Sequence, residues 1–130
     1  MEECRVLLVD DEEDFVATLA ERLEMRGLKT MVATEGGKAL AMVAGEHPHV
    51  VVLDVMMPGL GGLDVLRQLR TTHPEVQVIL VTGHGSTKEG IEGMKAGAYD
   101  YLMKPVEINR LVDRICQARD EGRGTARDAS

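Results

Sequence analysis

Val6-Leu7-Leu8-Val9-Asp10-Asp11 is an aliphatic run that ends abruptly in two carboxylates. The same figure recurs downstream: Val50-Val51-Val52-Leu53 runs into Asp54, Val78-Ile79-Leu80-Val81 into Thr82, and Tyr101-Leu102-Met103 into Lys104-Pro105. Short aliphatic runs without polar alternation read as parallel strands buried on both faces. In such sheets function gathers beyond the carboxyl ends of the strands. If all four runs share one sheet, Asp10, Asp11, Asp54, Thr82 and Lys104 converge on one edge.

Helical patterns separate the runs. After a first strand over about Arg5 to Val9, Phe15, Leu19 and Leu23 form one apolar stripe, and Gly27 sits where a C-terminal glycine cap belongs. Lys29 to Ala33 reads as a weak, partly polar second strand of the edge kind. A helix from Gly37 to Glu46 is stopped by His47-Pro48. The third strand ends at Asp54. The loop Met57-Pro58-Gly59-Leu60-Gly61-Gly62 leads into a helix bearing Leu63, Leu66 and Leu69, which stops before Pro74. The fourth strand ends near Val81, and Ser86 is placed to cap the helix that follows. A fifth strand over Tyr99 to Met103 precedes the clearest stripe of the chain, Ile108, Leu111, Val112 and Ile115. Beyond Arg119 no stripe continues, and residues 120–130 read as a mobile tail or the start of a linker. Alternating strands and helices make a parallel α/β sheet with right-handed crossovers.

Composition narrows the function. The 130 residues are enough for one domain with a real core, and the net charge of −7 without any Lys/Arg-rich block argues against nucleic-acid or anionic-membrane binding by this chain. No apolar stretch reaches membrane-span length, and Met1-Glu2-Glu3-Cys4 is no secretory signal. Cys4 and Cys116 fall at a strand start and on a helix stripe, where reduced core thiols suit a cytoplasmic protein.

The strand-end residues resemble those of the response-regulator receiver domain, the phosphoacceptor half of bacterial two-component signalling, over about residues 4 to 119. The resemblance implies a flavodoxin-like fold of five parallel strands in the order 2-1-3-4-5 with five helices, so that Asp10, Asp11 and Asp54 become neighbours. It divides the chain into a receiver domain, residues 1–119, and the tail, residues 120–130.

The acids read as follows. Glu12, Glu13 and Asp14 suit the first turn of a helix, and Asp11 could serve as its N-cap. Asp54, ending a buried aliphatic run, is costly without a cation. Three converging carboxylates form a hard-oxygen site suited to Mg²⁺. By resemblance, Asp11, Asp54 and the Met56 backbone carbonyl ligate Mg²⁺ directly and Asp10 acts through water. Asp54 is then the phosphoacceptor, with Thr82 and Lys104 as its clamps, while Gly83 leaves room for the phosphoryl group. The donor is a sensor histidine kinase, a phosphotransfer protein or a small phosphodonor. Thr82 and Tyr101 match the family's switch pair, and the family usually has a cis peptide between the residues matching Lys104 and Pro105.

Some positions individualise the pattern. Met56 offers no polar side chain to an attacking water, and His84 stands where the family tunes dephosphorylation. Gly61 replaces an Asp common in receivers, which suggests a pliable loop. Gly90 and Gly93 suggest a loosely held helix between strands 4 and 5. An aspartyl-phosphate phosphatase would carry a second acid where Asp54-Val55-Met56 has Met56. A flavin- or nucleotide-binding relative would need a phosphate-cradling loop where Asp10-Asp11-Glu12-Glu13 repels phosphate. Self-dephosphorylation is the only turnover expected. The stretches Val81-Thr82-Gly83-His84-Gly85-Ser86 and Gly97-Ala98-Tyr99-Asp100-Tyr101 look most like receivers of the nitrogen-regulator type. A homodimer on phosphorylation, through the strand 5 and last-helix face, is compatible with the resemblance, and the chain reads as a stand-alone receiver or one excised from a larger regulator.

Overall fold

Each aliphatic run forms a strand, and each strand is followed by a helix. The computed structural model describes residues 3–83 and 87–129. In chain order the elements are β1 (Arg5–Val9), α1 (Glu13–Glu24), β2 (Lys29–Ala33), α2 (Gly36–Glu46), β3 (Val50–Asp54), α3 (Gly62–Thr72), β4 (Gln77–Thr82), α4 (Thr87–Lys95), β5 (Asp100–Met103) and α5 (Ile108–Ala129). The strands pair in parallel in the order β2-β1-β3-β4-β5. This is the flavodoxin-like arrangement that the resemblance implied.

The absence of alternation in the runs has a direct cause. Successive side chains of a strand point to opposite faces, and here both faces are covered. Val6, Leu8, Val50, Val52, Ile79 and Val81 pack with Leu19 and Leu23 of α1 and Leu111 and Ile115 of α5. Leu7, Val9, Val51, Leu53, Val78 and Leu80 pack with Val43 of α2 and Val65, Leu66 and Leu69 of α3. Every residue of β3 is buried, Asp54 included. The partly polar β2 takes the edge, as its sequence suggests.

Helix ends follow local chemistry. The N-cap position of α1 falls on Glu12, with no side-chain cap; just ahead of the helix Asp10 Oδ1 accepts the Glu12 N–H at 2.9 Å, while Asp11 is exposed. Gly27, with φ 88°, turns the chain out of α1 while the Leu28 N–H donates to the Leu23 carbonyl. The last helix, α5, runs past Arg119 to Ala129. Residues 120–129 lack an apolar stripe but also lack proline, the strongest helix breaker. Gly122 is buried, and a Cβ there would lie 2.9 Å from the Glu75 carbonyl, so glycine lets this turn press against the α3–β4 loop. Cys4, buried, and Cys116, half-buried, are free thiols.

Candidate functional site

The register of the two central strands builds the site. Val9 of β1 pairs with Leu53 of β3, so the residues that follow, Asp10 and Asp54, emerge side by side at the carboxyl edge. Asp10 and Asp54 are buried and Asp11 is exposed, and one carboxylate oxygen from each lies within 4.8 Å of the others. Hard oxygen donors so grouped could hold a metal ion, and their chemistry suits a small divalent cation. Met56 follows two residues after Asp54, its N–H donating to Asp54 Oδ1 at 3.3 Å while its side chain is exposed.

Gly62 makes this edge close-packed. A Cβ at Gly62 would stand 2.3 Å from the Asp54 carbonyl oxygen, so only glycine lets the first turn of α3 sit against the end of β3. Gly61, by contrast, has nothing nearer than 3.9 Å to a would-be Cβ.

The outer strands deliver the remaining groups. Thr82, the last residue of β4, is buried at the same edge. The Lys104 N–H donates to the Thr82 carbonyl at 2.9 Å and fixes the chain beyond β5 against the end of β4. Among the described residues, a Cβ at Gly83 would touch only the Lys104 stem, at 3.7 Å. The Lys104–Pro105 peptide is cis. The Lys104 ammonium reaches inward, but its direct partners are Asp10 Oδ2 at 2.8 Å and Glu12 Oε1 at 2.9 Å. It also lies 4.4 Å from the centroid of the Phe15 ring.

Burial governs the charges. It pushes the Asp54 carboxyl up from 3.8 to about 6, with repulsion from Asp10 adding to the rise. The Lys104 charge and the Met56 N–H pull it partly back, and Asp11 pushes it up further. For Lys104, burial works against the charge, yet hydrogen bonds to Asp10 and Glu12 and the charges of Asp10 and Asp54 outweigh it and raise its pKa. The site therefore holds more negative charge than its own lysine compensates, which is the condition for capturing a cation.

Tyr101 is half-buried on β5, with its ring against α4. A Cβ at Gly90 would meet the ring at 2.7 Å, and one at Gly93 would meet Leu80 Cδ1 at 2.0 Å. These two glycines are thus close-approach positions that seat α4 on β4 and on the tyrosine, a packing role that helix propensity does not reveal. His84 and Ser86 lie outside the described residues.

Sequence reasoning missed Glu12 and Phe15 as partners of Lys104. Glu12 reads locally as a first-turn acid and Phe15 as a stripe residue. Only the strand order, which brings the end of β5 toward the start of α1, could have suggested otherwise.

Comparison with known proteins places the whole arrangement. A family model described as the response regulator receiver domain matches residues 6–116. The response regulator MprA of Mycobacterium leprae (strain TN) is 42% identical over 111 residues, which cover 85% of this chain and 49% of that protein. The chain spans about half the length of the curated relatives it matches. Among solved structures, the receiver domain of the Francisella response regulator 1452 aligns with a TM-score of 0.85 and 34% identity, covering 92% of this chain and 98% of that one. NtrX from Brucella abortus, in complex with ADP, aligns with a TM-score of 0.91 and 30% identity over 98% of this chain and 30% of that one. NtrX neighbours are consistent with the leaning toward nitrogen-regulator receivers. With its sheet order, its edge of acids and a family match over most of its length, this chain belongs to the response regulator receiver domains of two-component systems.

Proposed function

We propose that this domain accepts a phosphoryl group on Asp54 from a sensor histidine kinase or a phosphotransfer protein, and that Mg²⁺ is its cofactor. The observation that carries the reading is the meeting of Asp10, Asp11 and Asp54 within 4.8 Å beside a half-buried lysine. Asp11, Asp54 and the Met56 carbonyl would hold the metal, with Asp10 acting through water. When bound, Mg²⁺ supplies positive charge against the phosphoryl oxygens.

The chain's own residues do the rest. A carboxylate oxygen of Asp54 attacks phosphorus, the phosphorus–nitrogen bond of the donor phosphohistidine breaks, and the electron pair leaves with the imidazole. The Lys104 ammonium and the Thr82 hydroxyl neutralise and orient the transferred group, for which Gly83 leaves room. Slow return of the phosphoryl group to water is the only turnover, with Met56 and His84 as the tuning positions. Output runs through Thr82 and Tyr101: the hydroxyl moves toward the phosphoryl group and the ring, now seated on Gly90, turns inward.

Residues 1–119 act as the receiver, and residues 120–130 as a tail or the start of a linker. A homodimer on phosphorylation would use the β5–α5 face, where Met103 is exposed. No nucleic acid and no membrane is engaged by this chain, and no helix among the described residues is long and apolar enough to cross a membrane. The work is proposed to take place in the cytoplasm. The test is intact-protein mass after incubation with acetyl phosphate and Mg²⁺. A phosphoryl adduct on wild type and none on Asp54→Ala is expected; an adduct on both would move the acceptor elsewhere.

A further inference from the structure

Lys104 does not reach Asp54 directly in this chain. Its ammonium donates to Asp10 Oδ2 at 2.8 Å and to Glu12 Oε1 at 2.9 Å, and it lies over the Phe15 ring at 4.4 Å. The side chain is only 15% exposed, so these partners define its position. Two of the three ammonium hydrogens are thereby engaged on the α1 side of the site. The two acids differ in kind. Asp10 is buried and belongs to the carboxylate cluster around Asp54. Glu12 is 64% exposed at the start of α1 and stands outside that cluster.

A phosphoryl group arriving on Asp54 must compete for Lys104 with whatever already holds it. We infer that Glu12, with the Phe15 ring beside it, is a positioning residue that holds Lys104 back from Asp54 and so restrains phosphoryl acceptance. The inference rests on Asp54 being the acceptor. A charge-only account, in which Glu12 merely adds one more anion near an anionic donor, makes a different prediction for Glu13. Glu13 carries the same charge one residue along, and no hydrogen bond or ion pair of its side chain is found among the described residues.

The test has two arms, each run on the full chain as Glu12→Gln and Glu13→Gln beside wild type. The first arm needs neither metal nor phosphate. In protein labelled with ¹⁵N-lysine, the Lys104 Nζ resonance is identified by its loss in Lys104→Arg. Glu12→Gln is expected to shift this resonance and speed exchange of its hydrogens, and Glu13→Gln to leave it in place. An unmoved resonance in Glu12→Gln overturns the inference. The second arm follows the rate of adduct formation with acetyl phosphate and Mg²⁺. Glu12→Gln is expected to react about 1.5- to 5-fold faster, the span an exposed ion pair can supply, and to exceed Glu13→Gln. Equal gains in the two variants, or no gain in Glu12→Gln, overturn it. A wild type that takes no phosphoryl group from acetyl phosphate or from a phosphorylated kinase refutes Asp54 as acceptor instead, and the first arm then still decides whether Glu12 holds the lysine.

Discussion

At the scale of single residues, the chemistry turns on a carboxylate placed where burial disfavours its charge. Asp54 is only 5% exposed, and burial together with Asp10 lifts its pKa from 3.8 to about 6. Because the folded value is the higher one, the native protein holds this proton more tightly than the unfolded chain. The group's contribution to stability is full below about pH 4 and is lost as pH rises through about 6. Asp54→Asn should therefore stabilise the metal-free protein near pH 7–8, by ~1–3 kcal/mol, with the advantage vanishing below about pH 4. Melting temperatures of both proteins across pH check this; a constant difference between them would contradict it. The sequence showed Asp54 well, because a lone acid after Val50-Val51-Val52-Leu53 has no local excuse. It hid Glu12, because an acid in the first turn of a helix has a sufficient local reason. The pairing with Lys104 spans 92 residues and exists only once the sheet is assembled.

Among the elements, α4 has glycines whose packing role the sequence does not show. Gly90 and Gly93 read as weak points, each costing about 1 kcal/mol relative to Ala. In the fold they are contact points: a Cβ at Gly93 would lie 2.0 Å from Leu80 Cδ1, and one at Gly90 would lie 2.7 Å from the Tyr101 ring. Gly93→Ala should lower stability by ~1–3 kcal/mol, since overpacking against a buried strand outweighs the gain in propensity. Gly45→Ala in α2, where a Cβ would meet nothing within 4 Å, should raise it by up to ~1 kcal/mol. Urea unfolding of the two variants separates the accounts, and a stabilised Gly93→Ala would show that α4 is loosely seated after all. Strand positions were legible because burial on both faces leaves unbroken aliphatic runs. The extent of α5 was not, because residues 120–129 carry no stripe and the reason the turn at Gly122 fits, its approach to Glu75, is tertiary.

For the molecule as a whole, the two apolar layers exist to hold one acidic edge in register. Periodicity could not order the strands; the resemblance did, and the observed order β2-β1-β3-β4-β5 puts β1 beside β3 and Asp10 beside Asp54. A cation that joins those carboxylates in the folded state alone must stabilise that state. Mg²⁺ should thus raise the melting temperature of wild type, EDTA should reverse the rise, and Asp11→Asn should blunt it. A wild-type melt indifferent to Mg²⁺ would remove the metal from the account. The central claim, that Asp54 is the acceptor, is met most directly by locating the phosphoryl group. Protein treated with acetyl phosphate and Mg²⁺ is reduced with borohydride, which turns an aspartyl phosphate into homoserine, and the digested peptides are sequenced by mass spectrometry. The account predicts homoserine at position 54 and its absence when Mg²⁺ is withheld; homoserine at position 10 or 11, or none anywhere, would contradict it.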